Sequence, residues 1–134
     1  MHTLVAPAAT ATSSRGVSRA VYGVVGLLAL AAAILEATRH GGATIAATAF
    51  FLTAPDLSML VGASQATPKG YLAPRAVPVY NAVHQLGPPL VVLAVFSIVP
   101  STAGFAAGLA WLAHIAIDRA MGYGRRAADG SIAG

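Results

Sequence analysis

Four long apolar segments constrain this chain more than any other feature. They lie at about 20–37, 43–63, 77–99 and 103–121. Each has roughly the 17–25 residues that a helix needs to cross a bilayer core. Only 9% of the residues are charged and 57% are hydrophobic, whereas a soluble domain carries about 25% charged residues. The chain therefore reads as all-α: a four-helix transmembrane bundle, multi-pass, with the lipid bilayer as its first partner. Residues 1–18, rich in Ala, Thr, Ser and Pro, read as a disordered tail. Residues 19–124 read as the membrane domain and 125–134 as a short C-terminal tail. The first apolar run follows Arg15 and Arg19 as a signal peptide would, but it exceeds an h-region of about 7–15 residues and reads as a retained helix.

The basic residues set an orientation. Arg15, Arg19, Lys69, Arg75, Arg119, Arg125 and Arg126 fall on one side of the four spans, and Arg39 alone falls on the other. The positive-inside rule then predicts cytoplasmic N and C termini. The net charge of +4 flanks apolar segments and forms no single patch, so nucleic acid is not the expected partner. With no cysteine, thiolate metal sites and Cys nucleophiles are excluded. No Gly-x-Ser-x-Gly elbow or Gly-rich phosphate loop occurs.

Against this apolar background the strongly polar residues are few, and they share a depth. Asp56 lies seven residues before the inner end of the second span, His84 seven after the inner start of the third, and His114 seven before the inner end of the fourth. At 1.5 Å rise per residue, each sits about 10 Å from the cytoplasmic boundary. Asp118 is i+4 from His114 on one helix face, and Asn81, His84 and Gln85 form a second stripe. Pro55, Pro88 and Pro89 lie beside this layer and free backbone carbonyls that need partners in a membrane. GFAAG (104–108) is a Gly-x-x-x-Gly pattern suited to close helix packing.

The motifs APDLSMLVG (54–62), YNAVH (80–84) and WLAHIAIDRAMGYG (111–124) resemble a bacterial family of small four-helix membrane proteins known only as a domain of unknown function. The resemblance covers about 43–124. It implies an integral protein of the bacterial inner membrane and marks Asp56, Asn81, His84, His114, Asp118, Arg119 and Tyr123. It also implies an acidic residue near the inner end of the first helix, where SRAVYG (18–23) has none. A weaker likeness is to bacterial inner-membrane metal-dependent hydrolases, which share a Pro-Asp pair and a His-x-x-x-Asp helix. Their His-Arg-Gly…Thr-His-Ser segment has no counterpart here.

Three readings of the polar layer stay open. In the first, His84, His114 and Asp118 ligate a divalent metal such as Zn, Mn or Fe. Asp56 is then a fourth ligand or the base that activates water, and Arg119 holds the headgroup of a lipid-like substrate in a hydrolytic reaction. In the second, the residues form a proton or solute path, which in so narrow a bundle requires a homo-oligomer. In the third they are a structural network, with Asp56 paired to Arg119 and His84 bonded to Asn81 or a freed carbonyl.

Overall fold

The computed structural model describes residues 9–133. Its elements are α1 (Ala9–His40), α2 (Gly42–Leu57), a 3-10 turn (Ser58–Leu60), a second 3-10 turn (Pro74–Ala76), α3 (Val77–Val83), α4 (Gly87–Ile98) and α5 (Thr102–Ala120). The architecture is a four-helix bundle whose third member is broken into α3 and α4. Three stretches, Ser14–His40, Gly42–Leu60 and Pro74–Ile98, are long and apolar enough to cross a membrane.

The expected tail behaves differently from its reading. Residues 1–8 lie outside the described residues, whereas 9–18 form the first turns of α1. Ala is the strongest helix former, and the segment needs no apolar face to continue a helix already nucleated by its C-terminal turns. At its other end α1 turns into α2 through Gly41 and Gly42, whose φ of 62° and 41° lie in the left-handed region that a side chain disfavours.

The fourth expected span, α5, is not among the helices that reach membrane-spanning hydropathy. Its position explains why. α5 packs against α1, α2 and α4, so its walls are protein and it can carry polar groups at low cost. The packing is made of small residues. Ala106, Ala107, Ala110, Ala113 and Ala116 on α5 are buried, as are Ala29, Ala33 and Ala37 on α1. Gly104 lies under the Phe96 ring and Gly108 under Leu93, which brings α4 close to α5. Ser101 caps α5 by accepting from the Gly104 amide at 3.0 Å.

The α3–α4 break has a plain chemical cause. Pro88 and Pro89 cannot donate to the carbonyls of His84 and Gln85, so the helix cannot run through. Pro starts α4 well, and His84 is left as the cap of α3 with φ −101° and ψ 13°.

The two ends of the bundle differ in chemistry. At one end Thr44 and Thr102 share a hydroxyl hydrogen bond at 3.1 Å, and Glu36 pairs with His40 at 3.3 Å. At the other, the Arg19 Nε donates to the Ala120 carbonyl at 2.8 Å, tying the start of the membrane part of α1 to the end of α5. The segment after α5 is also ordered. Residues 125–133 form a small hairpin with an Arg126–Ile132 bridge, and Leu72 N–H donates to Gly130 O at 2.9 Å. Gly130 has φ 91°, and a Cβ there would collide with the Leu72 carbonyl. Ser131 donates to Asp129 through its amide and hydroxyl, which holds that carboxyl below the usual Asp range.

The α1–α5 seam gives the first prediction. A Cβ on Gly26 would lie 2.8 Å from Ile117 Cγ1 and 3.1 Å from the Ile117 backbone nitrogen, which cannot move away freely. Gly26→Val should lose about 1–3 kcal/mol in detergent unfolding, as overpacked sites do. Gly16→Ala, with nothing within 4 Å of the added carbon, should not. An unchanged Gly26→Val melting temperature would refute the close seam.

Candidate functional site: a two-histidine, two-carboxylate cluster

Four side chains from three helices meet beside the α3–α4 break. Asp56 comes from the last turn of α2, immediately after Pro55. His84 is the cap of α3. His114 and Asp118 lie one turn apart on α5. Ligand atoms from all four lie within 4.8 Å of one another.

Backbone carbonyls fix the imidazoles. His84 Nδ1 is 2.8 Å from the Tyr80 carbonyl, and His114 Nδ1 is 2.7 Å from the Leu52 carbonyl. A carbonyl only accepts, so each Nδ1 donates a proton and each neutral ring presents a bare lone pair at Nε2. Those two Nε2 atoms face each other at 3.3 Å. The surrounding carboxylates are equally close. Asp56 Oδ1 is 3.3 Å from His114 Nε2 and 3.5 Å from His84 Nε2, while Asp118 Oδ2 is 3.3 Å and 3.6 Å from the same atoms.

Aromatic packing holds the rings in place. Tyr80 stacks on His84 with centroids 3.8 Å apart and 16° between planes. Trp111 Nε1 donates to the Val83 carbonyl at 2.8 Å, satisfying a group left over by the helix break. The Trp111 ring also meets Phe51, and both line an apolar crevice of about 120 Å³ with Ala54, Pro55 and Val83.

Burial is graded across the cluster. The His84 and His114 side chains are 3% and 9% exposed and Asp118 is 20% exposed, but Asp56 is 50% exposed. Asp56 is therefore the open wall.

Two imidazole Nε2 atoms and one carboxylate oxygen from each aspartate face a single point, a donor set that could hold a cation. The distances suit a metal. A tetrahedral centre with bonds of about 2.0–2.1 Å has ligand–ligand edges of about 3.3–3.4 Å. Five of the six edges here measure 3.3–3.6 Å, and the sixth, between the two carboxylates, is within 4.8 Å. Two carboxylates would also neutralise one divalent ion. The Nδ1–H bonds to carbonyls are the outer support that metal-ligating histidines usually have.

The other expected residues lie outside the cluster. Arg119 does not pair with Asp56. Its Nη1 donates to the Tyr22 hydroxyl at 2.9 Å, and its guanidinium lies 5.3 Å from the Tyr22 ring centroid. Asn81 does not bond His84. It faces the C-terminal hairpin, where its Nδ2 donates to Arg126 O at 2.9 Å and its Oδ1 accepts from Arg126 N at 2.7 Å. Gln85 and Tyr123 line a separate groove of about 700 Å³ together with Arg19, Tyr22, Arg119 and Arg125. A small void lined by His84, Asp118, Arg119, Tyr123 and Gly124 lies between groove and cluster.

Sequence reasoning passed over Tyr80, Tyr22 and Arg126. Tyr80 had a signal, since it is i−4 from His84. Arg126 lies 5.7 Å from the Tyr80 ring centroid, so cation, phenol and imidazole form one stack leading to the site. Nothing in the spacing points to Tyr22 or Arg126.

Residues 19–131 match the family described as Domain of unknown function (DUF4260), and the chain belongs to that family. No curated protein and no solved structure matches it.

The Asn81 clamp is testable. Asn81→Ala removes both bonds to Arg126 and leaves its backbone unpaired, at a cost of about 1–3 kcal/mol. The hairpin should then be cleaved at Arg125 or Arg126 by limited trypsin digestion several-fold faster than in the wild type. Equal cleavage rates would show that Asn81 does not hold the hairpin.

Proposed function

We propose that Asp56, His84, His114 and Asp118 bind one divalent metal ion, and that the protein is a metal-dependent hydrolase of a lipid-like substrate. The observation that carries this reading is the facing pair of Nε2 lone pairs at 3.3 Å, enclosed by two carboxylates at tetrahedral-edge distances. His84, His114 and Asp118, the three less exposed members, are the ligands. Asp56, half exposed, serves as the fourth ligand or as the general base that takes a proton from the attacking water. A bound divalent ion would supply Lewis-acid polarisation of an ester or phosphoester oxygen.

Substrate access follows from the same gradation. The Asp56 wall opens beside the crevice lined by Phe51, Pro55 and Trp111, which suits the apolar part of a lipid. The excess of Arg and Lys at the cluster end of the bundle favours a cytoplasmic location for that end, in the inner leaflet of the bacterial inner membrane.

Elemental mass spectrometry on detergent-purified protein tests the metal. The expected result is about one Zn, Mn or Fe per chain, lost in His84→Ala and in His114→Ala with helical content retained. Asp56→Asn should lower the hydrolytic turnover at least about a hundredfold, with the metal kept if Asp56 is the general base and lost if it is the fourth ligand. Absence of metal after incubation with each ion would overturn the proposal.

A second reading draws on the same lone pairs, because they can take up protons as well as an ion. In that case the cluster is a proton relay in an oligomer, and liposomes carrying metal-free protein would show a proton flux that Asp56→Asn abolishes.

A further inference from the structure

The groove beside the cluster has a charge that the described residues do not balance. Arg19, Arg119 and Arg125 line it with Tyr22, Gln85 and Tyr123, and no acidic residue is among its lining residues. The chain has four acidic residues, and each is committed elsewhere. Glu36 pairs with His40 at the opposite end of the bundle. Asp56 and Asp118 face the two imidazoles. Asp129 accepts from Ser131 within the hairpin.

The three guanidinium groups also keep most of their donors. Arg19 spends its Nε on the Ala120 carbonyl, and Arg119 spends Nη1 on the Tyr22 hydroxyl. These single bonds hold the two side chains in place and leave their remaining N–H groups for a ligand. Glycines keep part of the wall low. A Cβ on Gly87 or Gly124 would meet nothing within 4 Å, so a ligand can approach the backbone there.

We infer that this groove binds the phosphate group of an anionic lipid. Fixed guanidinium groups match phosphate oxygens in geometry as well as charge. A cavity of about 700 Å³ is large enough for a glycerophosphate headgroup. The lipid source is favoured by position. The groove begins where the apolar run of α1 begins, and Val21 and Met121 are exposed at the same level. Arg119 adjoins the ligand Asp118, and the void between them shares residues with both sites. The inference deepens the hydrolase reading by naming the headgroup class, but binding in the groove does not require the metal.

The test is therefore made in EDTA. Detergent-purified protein is titrated calorimetrically with dihexanoyl phosphatidic acid, and separately with dihexanoylglycerol and inorganic phosphate. Saturable binding of the phosphatidate but not of the diacylglycerol is expected. Arg119→Gln and Arg125→Gln should each weaken it at least about tenfold, as loss of a charge-assisted contact does. Arg15→Gln, on α1 outside the groove, should not. The Arg125 side chain has no partner among the described residues, so its variant keeps the fold. Inorganic phosphate that competes only in large excess would assign the site to lipid. Competition at equal concentration would assign it to phosphate itself. Equal binding of diacylglycerol, or full affinity in both arginine variants, would overturn the inference. Binding that appears only on adding metal would overturn the groove and leave the metal reading standing.

Discussion

Two hydrogen bonds govern the chemistry of this protein. The carbonyls of Tyr80 and Leu52 each take the Nδ1 proton of a histidine, and by doing so turn two Nε2 lone pairs toward one point. Both carbonyls belong to helices, Leu52 to α2 and Tyr80 to α3, and the Tyr80 carbonyl also accepts the His84 amide at 3.0 Å. Each helix thus lends a backbone oxygen to an imidazole, one from a neighbouring helix and one from the preceding turn of its own, and the ring orientation follows from that.

The location of α5 makes such a cluster tolerable in an apolar protein. A helix carrying His114, Asp118 and Arg119 would be costly against lipid. Enclosed by α1, α2 and α4, it meets hydroxyls, carbonyls and rings instead. Small residues permit the enclosure, because Ala and Gly allow three neighbours to approach one helix. The price is a core with few large side chains: Tyr80, Ile115 and Pro89 are the largest fully buried ones. Tyr80 and Pro89 both lie around the α3–α4 break, and Tyr80 supports the site directly.

Much of this could be read from the residues. Segment lengths and the near absence of charge gave the four helices, and the common seven-residue offset of Asp56, His84 and His114 from their helix ends put them in one layer. The i,i+4 spacing added Asp118. The remaining polar residues depended on information that local periodicity does not hold. Asn81 and Arg119 lie at similar depth, but their partners are Arg126 in a folded-back hairpin and Tyr22 on the most distant helix in sequence. A depth argument has no azimuth between helices, so it cannot say which stripe faces which. Residues 9–18 escaped for the opposite reason: they lack an apolar pattern, and their helix is carried by Ala propensity and by the helix that follows.

The most extensive helix pairing joins α1 to α5, and of the five described helices α1 is made before the others and α5 after them. During synthesis α1 must therefore wait in the bilayer while α2, α3 and α4 are inserted, its Ala and Gly face without its proper partner. Its outward residues, such as Leu27, Leu28 and Ile34, suit that wait because they are content in lipid. Non-local contacts of this kind close late. The four residues of the cluster ride on three helices of different age, Asp56 on α2, His84 at the end of α3, and His114 and Asp118 on α5. The cavity that gathers them cannot exist on a partly made chain, so any ion or substrate can be captured only after the whole bundle has been released into the membrane.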